Sequence, residues 1–315
     1  MKADAKHEAI IVIGCPRSGT TLLRRLLDAH PNISCPGETF LLTACARFLR
    51  SERAVDGMDV GVLSGLGYAG FESEEVLGRL REFAFAFRRE HARREGKGRW
   101  AEKTAVDSFH LREIGRLCGK HAHFICVLRH GLDVACSMRE WCDKSQVYLD
   151  DIHQYVQRFN RPLEAFCHAW VDVTQSIRTF AEEHKDNAVC LRYEDLVSHP
   201  AEEVRRLFEF IGEEWDPALL ERALGEREMK GFSDWKTFSR SNIDDSSTGR
   251  WRRELSPATI ADLAPVVNAT LVDCGYEAIE IPDKDSDAEA RRRYELGLLL
   301  QRTKANTKRK AEPER

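Results

Sequence analysis

The apolar run Ala9-Ile-Ile-Val-Ile13 ends in Gly14-Cys-Pro-Arg-Ser-Gly19-Thr20-Thr21 and passes straight into an amphipathic stretch at residues 22–30. A buried strand, a loop with two glycines and a helix in immediate succession restrict the fold more than any other feature of the chain. Glycine lets backbone N–H groups face an anion, and the helix start adds the positive end of its dipole. The loop departs from the phosphate-binding pattern GxxxxGK[ST] in one respect: Thr20 stands after Gly19 where a lysine is expected, and Arg17 is the cation of the loop. A guanidinium is a planar fork that grips a terminal oxyanion group through two donors.

Two more compact apolar runs, residues 123–128 and 188–191, read as buried parallel strands, and long helical patterns occupy residues 73–94 and 162–184. Alternating strands and helices are met most economically by an α/β fold, a three-layer sandwich with a mostly parallel central sheet and right-handed crossovers. The strand at 123–128 runs into Arg129. A magnesium-dependent nucleotide kinase needs an acidic residue at such a strand end. An arginine there replaces a metal anchor by a cation, which points to a ligand with an additional phosphate. Eight residues after Arg129, roughly two helical turns, Ser137 falls on the helix expected from about Leu132, where its hydroxyl can join Arg129 on that phosphate.

With these motifs in view, the sequence resembles the sulfotransferases that use 3′-phosphoadenosine 5′-phosphosulfate (PAPS), and is most similar in motif to the tyrosylprotein and bacterial members. PRSGTTLL resembles their 5′-phosphosulfate loop and VLRHGLDVACSM their 3′-phosphate motif, with further likeness in DAHPNISCPGET, AEKT, LRYEDL and TGRW. The resemblance implies a P-loop NTPase-like fold and PAPS as co-substrate, with no metal. It implies that Arg17, Ser18, Gly19, Thr20 and Thr21 hold the phosphosulfate while Arg129 and Ser137 recognise the 3′-phosphate. Lys103, in WAEKT, is implied to approach the oxygen bridging sulfur and phosphorus, with Arg17 on the phosphosulfate oxygens, so that both oppose the charge of the leaving group.

Glu38, in PGET, resembles the catalytic glutamate of the tyrosylprotein group. Many small-molecule members carry a histidine two residues after the lysine, where this chain has Ala105, and that departure favours Glu38 as general base. Tyr193, in LRYEDL, either stacks on adenine or packs as a core aromatic, and Glu194 and Asp195 read as local caps or pairs. Arg250, in TGRW, either reaches the 3′-phosphate region or is a surface arginine beside a packed Trp251.

Composition limits the remaining function classes. A formal net charge of -4 gives no global basic field for coating nucleic acid. The apolar start is too short for a membrane span or a signal peptide, so the chain reads as cytoplasmic. Ten cysteines occur without a CxxC pair, and Cys126, Cys136, Cys167 and Cys190 lie in apolar segments as buried, reduced thiols. The glycine-rich residues 51–72 read as a mobile surface loop on the acceptor side. Trp141, Tyr148, Tyr155 and Phe159, at helical spacing, read as core or interface ahead of pocket.

Residues 1–283 are expected to form one sulfotransferase domain, and residues 284–315 a helix, at 287–302, followed by a basic, disordered tail. The expected reaction moves a sulfuryl group from PAPS to the hydroxyl of a small molecule, a natural-product alcohol or phenol, releasing 3′,5′-ADP. A carbohydrate or a protein tyrosine is the alternative acceptor, and a P-loop kinase and an inactive nucleotide-binding protein are the rivals. A homodimer is left open.

Overall fold

The computed structural model describes residues 7–145, 149–224, 245–281, 292 and 294–296. Tyr148 and the basic tail lie outside them, and of the expected helix at 287–302 only residues 292 and 294–296 are described, all of them helical. Five strands form a parallel sheet in the order β2-β5-β1-β6-β7, where β1 is Ala9–Gly14, β2 Ile33–Ser34, β5 Arg99–Glu102, β6 Ala122–Leu128 and β7 Ala188–Arg192. The three runs visible in the sequence are β1, β6 and β7. The other two strands are too short for any periodicity to show.

Every residue of β1 is buried because helices cover both faces of the sheet. Ile10 and Val12 enter one core with α1 (Thr20–Asp28), α9 (Tyr193–Ser198), α10 (Pro200–Ile211) and α11 (Ala218–Leu224). Ala9, Ile11 and Ile13 enter the other, built by α2 (Leu41–Leu49), α4 (Ser73–Arg94), α5 (Leu111–Cys118), α6 (Gly131–Ser145), α7 (Asp150–Arg158), α8 (Pro162–Glu183), α12 (Trp251–Glu254) and α13 (Pro257–Asp273). A strand buried on both faces has no polar alternation, which is why this one reads as an unbroken apolar run. Each fully buried Leu or Ile here contributes roughly 1.5–3 kcal/mol, so an aspartate at Ile11 would break the sheet at its centre.

Two expectations are corrected. Residues 51–72 are surface-exposed as expected, yet they are not a simple loop: β3 (Ser51–Arg53) and β4 (Asp59–Gly61) form an antiparallel hairpin that leads into α3 (Val62–Tyr68). Gly57, at φ 85, supplies the left-handed residue that the turn needs, so the glycine density marks turn chemistry here. Cys190 is exposed, because β7 is an edge strand of the sheet, while Cys126, Cys136 and Cys167 are buried. All ten cysteines are unpaired thiols. Among the described residues no helix is long and apolar enough to cross a membrane.

Candidate functional site

The loop leaves β1 at the C-terminal edge of the sheet and turns through two left-handed residues, Arg17 at φ 74 and Gly19 at φ 95. Gly19 is the N-cap of α1. A Cβ at Gly19 would come within 2.2 Å of the Tyr193 ring, and one at Gly14 within 2.6 Å of Thr20 Cγ2, so close approach requires glycine at both ends of the loop. Arg17 is a non-glycine residue in the left-handed region, which costs on the order of 1 kcal/mol or more. Such strain persists only where the surroundings fix it, and here Arg129 Nη1 donates to the Arg17 carbonyl at 2.9 Å.

Arg129 follows β6 directly and is 5% exposed. Its Nη2 donates to the Ser247 carbonyl at 2.7 Å, its guanidinium lies 4.3 Å from the centre of the Tyr193 ring, and its own carbonyl accepts from Trp170 Nε1 at 3.0 Å. Ser137, on α6, accepts from Arg17 Nε at 3.2 Å. The structure therefore brings Arg17, Arg129, Ser137 and Tyr193 together, with Ser137 bonded to Arg17 where the sequence paired it with Arg129. The Ser18 hydroxyl and Arg129 Nε are buried and have no hydrogen-bond partner among the described residues. Unmet buried donors beside a helix N-terminus fit an anionic ligand.

Asp133, fully buried on α6, accepts from Gly249 N at 2.7 Å and Trp251 N at 3.1 Å. Burial raises its carboxyl above the usual range, against the pull of Arg129 and these two N–H groups. The bonds hold the segment that carries Ser247 and Arg250. Arg250 itself pairs with Glu140 Oε2 at 2.8 Å and Glu254 Oε1 at 2.7 Å, so its guanidinium is engaged with two carboxylates. Glu194 accepts from His130 N and from the Tyr276 hydroxyl, 64 and 82 residues away in the chain, so it ties distant elements together where the sequence reads as a local cap or pair.

A second group lies across the loop. Lys103 follows β5, and Glu38 precedes α2; the Lys103 ammonium touches Glu38 Oε1 and makes a long 3.4 Å contact with Thr21 Oγ1 on α1. The Lys103 and Glu38 side chains are 2% and 14% exposed, so the carboxylate keeps some access while the ammonium has almost none. Three elements thus bring an acid–base group, a cation and the end of the anion loop to one point. The Cys15 thiol, in the same loop, is 1% exposed, and burial raises it above its usual range.

Beneath this pair lie residues that the sequence did not single out. Glu102 accepts from Thr104 Oγ1 at 2.8 Å and from Thr39 Oγ1 at 2.9 Å, and pairs with Arg88 at 3.2 Å. Asp107 accepts from Thr43 Oγ1 at 2.5 Å. Burial foremost, with the negative Glu102 and Glu38 adding to it, holds its carboxyl well above the usual range. The one signal available beforehand is a shared dipeptide pattern: a threonine directly follows both Glu38 and Lys103. Among the described residues no group of three or more His, Cys, Asp or Glu could hold a metal ion.

Comparison with known proteins gives this geometry a context. Residues 9–217, more than half of the chain, match the model of the sulfotransferase family. The chain is 28% identical over 287 residues to the nodulation protein NoeE of Sinorhizobium fredii, covering 84% of this chain and 65% of that protein. It is 27% identical over 245 residues to protein-tyrosine sulfotransferase A of Caenorhabditis elegans, covering 76% and 56%. The match thus spans less than two thirds of each relative's own length. Among solved structures, the sulfotransferase domain from the curacin biosynthetic pathway superposes with a TM-score of 0.57 at 18% identity, over 86% of this chain and 98% of that one. At that identity the likeness concerns the fold.

Proposed function

The chain belongs to the sulfotransferase family, and from that premise we propose that it moves a sulfuryl group from PAPS to the hydroxyl of a small molecule. The observation that carries the reading is the meeting of Glu38, Lys103 and Thr21 beside the anion loop. The loop residues Arg17, Ser18, Gly19, Thr20 and Thr21 would hold the phosphosulfate. Arg129 and Ser137 would hold the 3′-phosphate, with Tyr193 packed beneath. Arg250, committed to Glu140 and Glu254, would support the covering segment and reach the phosphate only by exchanging a carboxylate.

Sulfuryl transfer needs an in-line nucleophile and relief of charge on the leaving phosphate, and positioning with electrostatics supplies most of the acceleration. Glu38 takes the proton of the acceptor hydroxyl as that oxygen bonds to sulfur. Lys103 and Arg17 hold the charge that builds on the phosphate oxygen as its bond to sulfur breaks. PAPS supplies the activated sulfuryl group, and 3′,5′-ADP leaves with the electron pair.

For the acceptor we infer a small, partly apolar molecule from a cavity of about 600 Å³ lined by α6 beyond Ser137, although Glu38 and Lys103 are not among its lining residues. Trp141 opens its lining one helical turn beyond Ser137, and Leu149, Ile152, Val156, Leu163 and Phe166 continue it. Relatives named protein-tyrosine sulfotransferases favour a peptide tyrosine as the second reading.

The test is thermal stability with 3′,5′-ADP, with 5′-ADP and with ATP plus magnesium, followed by turnover of PAPS on small alcohols, phenols, sugars and a tyrosine peptide. A ligand at a hundred times its Kd adds about 2.7 kcal/mol. Stabilisation that requires the 3′-phosphate supports the reading; stabilisation by ATP with magnesium alone would replace it with a kinase.

A further inference from the structure

The Glu102 carboxylate sits under the Glu38–Lys103 pair and touches the residue that follows each of them. It is 1% exposed and ends β5, so the sheet fixes its backbone. Oε1 accepts from Thr104 Oγ1, the neighbour of Lys103, and Oε2 accepts from Thr39 Oγ1, the neighbour of Glu38. The Thr104 hydroxyl also accepts from Phe40 N at 3.3 Å, which ties the same loop a second time. Phe40 lies in the left-handed region at φ 57, a conformation that a phenylalanine keeps only where contacts hold it.

We propose that Glu102, held by Arg88, is a positioning residue that fixes Glu38 against Lys103 through the hydroxyls of Thr39 and Thr104. The inference rests on the transfer reaction proposed above but concerns residues outside the donor loop. Arg88, on α4, pairs with Glu102 Oε2 at 3.2 Å and donates to the Ala101 carbonyl at 2.5 Å, so one guanidinium anchors both the carboxylate and the strand end.

Glu38 lies on an irregular segment between β2 and α2, where no backbone ladder fixes it. A displacement of about 1 Å in a reacting group costs on the order of 10²-fold in rate. Two hydroxyl bonds to one rigid carboxylate supply the restraint that a strand would otherwise give.

The experiment compares Thr39→Val, which removes the hydroxyl at nearly constant volume, with Thr39→Ser, which keeps it, alongside Glu102→Gln. Thr39→Val is expected to lower kcat by roughly 10- to 100-fold with KM for PAPS unchanged, and Thr39→Ser to recover most of it. Thr39→Val on a Glu38→Gln background should cost nothing further, because the restraint acts through Glu38. Hydrogen exchange at the Phe40 amide should be faster in both Thr39→Val and Glu102→Gln.

Equal rates for Thr39→Val and Thr39→Ser, a multiplied loss in the double variant, or unchanged exchange at Phe40 would each overturn the proposal. The exchange readout needs no turnover. If Glu38→Gln by itself leaves the rate intact, the base assignment falls, and the exchange result still decides whether Glu102 clamps the loop.

Discussion

Replacing Glu38 with glutamine separates proton transfer from binding. The change keeps the shape of the side chain and its contact with Lys103, while removing both the basic oxygen and the negative charge. A positioned general base contributes roughly 10²–10⁴-fold, equivalent to about 2.7–5.4 kcal/mol of transition-state stabilisation. Binding should respond in the opposite sense. The Lys103 ammonium, whose side chain is 2% exposed, loses its carboxylate and keeps the 3.4 Å contact with Thr21 Oγ1, so it becomes a stronger partner for an incoming anion. The expected result is a kcat lower by two to four powers of ten with the affinity for 3′,5′-ADP equal or higher. The assay is the initial rate of 3′,5′-ADP release at saturating PAPS and acceptor, paired with the thermal shift that 3′,5′-ADP produces. A folded, nucleotide-binding Glu38→Gln protein that turns over within about tenfold of the parent would refute the assignment.

The glycine at the head of α1 gives a structural counterpart. Gly19→Ala combines φ 95 with a Cβ 2.2 Å from the Tyr193 ring, and should cost about 2–4 kcal/mol in urea unfolding, of which Tyr193→Ala in the same chain recovers the clash but not the backbone part. Burial, with the negative Glu102 and Glu38 adding to it, raises the Asp107 carboxyl well above the usual range, so an amide is the less costly group to bury there and Asp107→Asn should unfold at the same urea concentration or a higher one; a clear loss would count against that shift. Burial, with nearby positive groups, pushes His123 and His130 down from 6.5 to about 4. Since the unfolded chain takes up these protons first as pH falls, their stabilisation is complete above about pH 6.5 and lost towards pH 4, by up to about 1.4 kcal/mol per pH unit for each. Urea midpoints across that range should fall less steeply in His123→Gln, and an unchanged slope would remove His123 from the account.

The strand, loop and helix at the start of the chain were legible because their signals are local: an unbroken apolar run, two glycines and an amphipathic stretch. Ser73–Arg94 was legible as a helix for the same reason. The position of Arg129 against the loop was legible because the apolar run 123–128 leads directly into it. The pair β2 and β5 was not legible, since two and four residues carry no period. Glu102 was hidden for a different reason. A glutamate between alanine and lysine looks like surface, and its burial depends on Arg88 arriving from α4. The engagement of Arg250 with Glu140 likewise depends on how α12 meets α6, a tertiary relation with no local trace.

The order of strands has a consequence for how the site comes into being. Ala9 pairs with Trp100 on one side and Ala122 on the other, so the strand that carries the loop is made before either of its neighbours and must wait for both. Contacts of such sequence separation form slowly, because the intervening chain must close first. Until β5 is made AIIVI has neither neighbour, and until β6 is made it has only one, so it stays a sticky segment through that interval. The same wait governs the loop, whose left-handed Arg17 is held by an arginine at the far end of β6. A nascent or truncated chain ending before that arginine would have the sequence of the anion loop without its shape, and capture of the nucleotide would serve as a clock for the completion of folding.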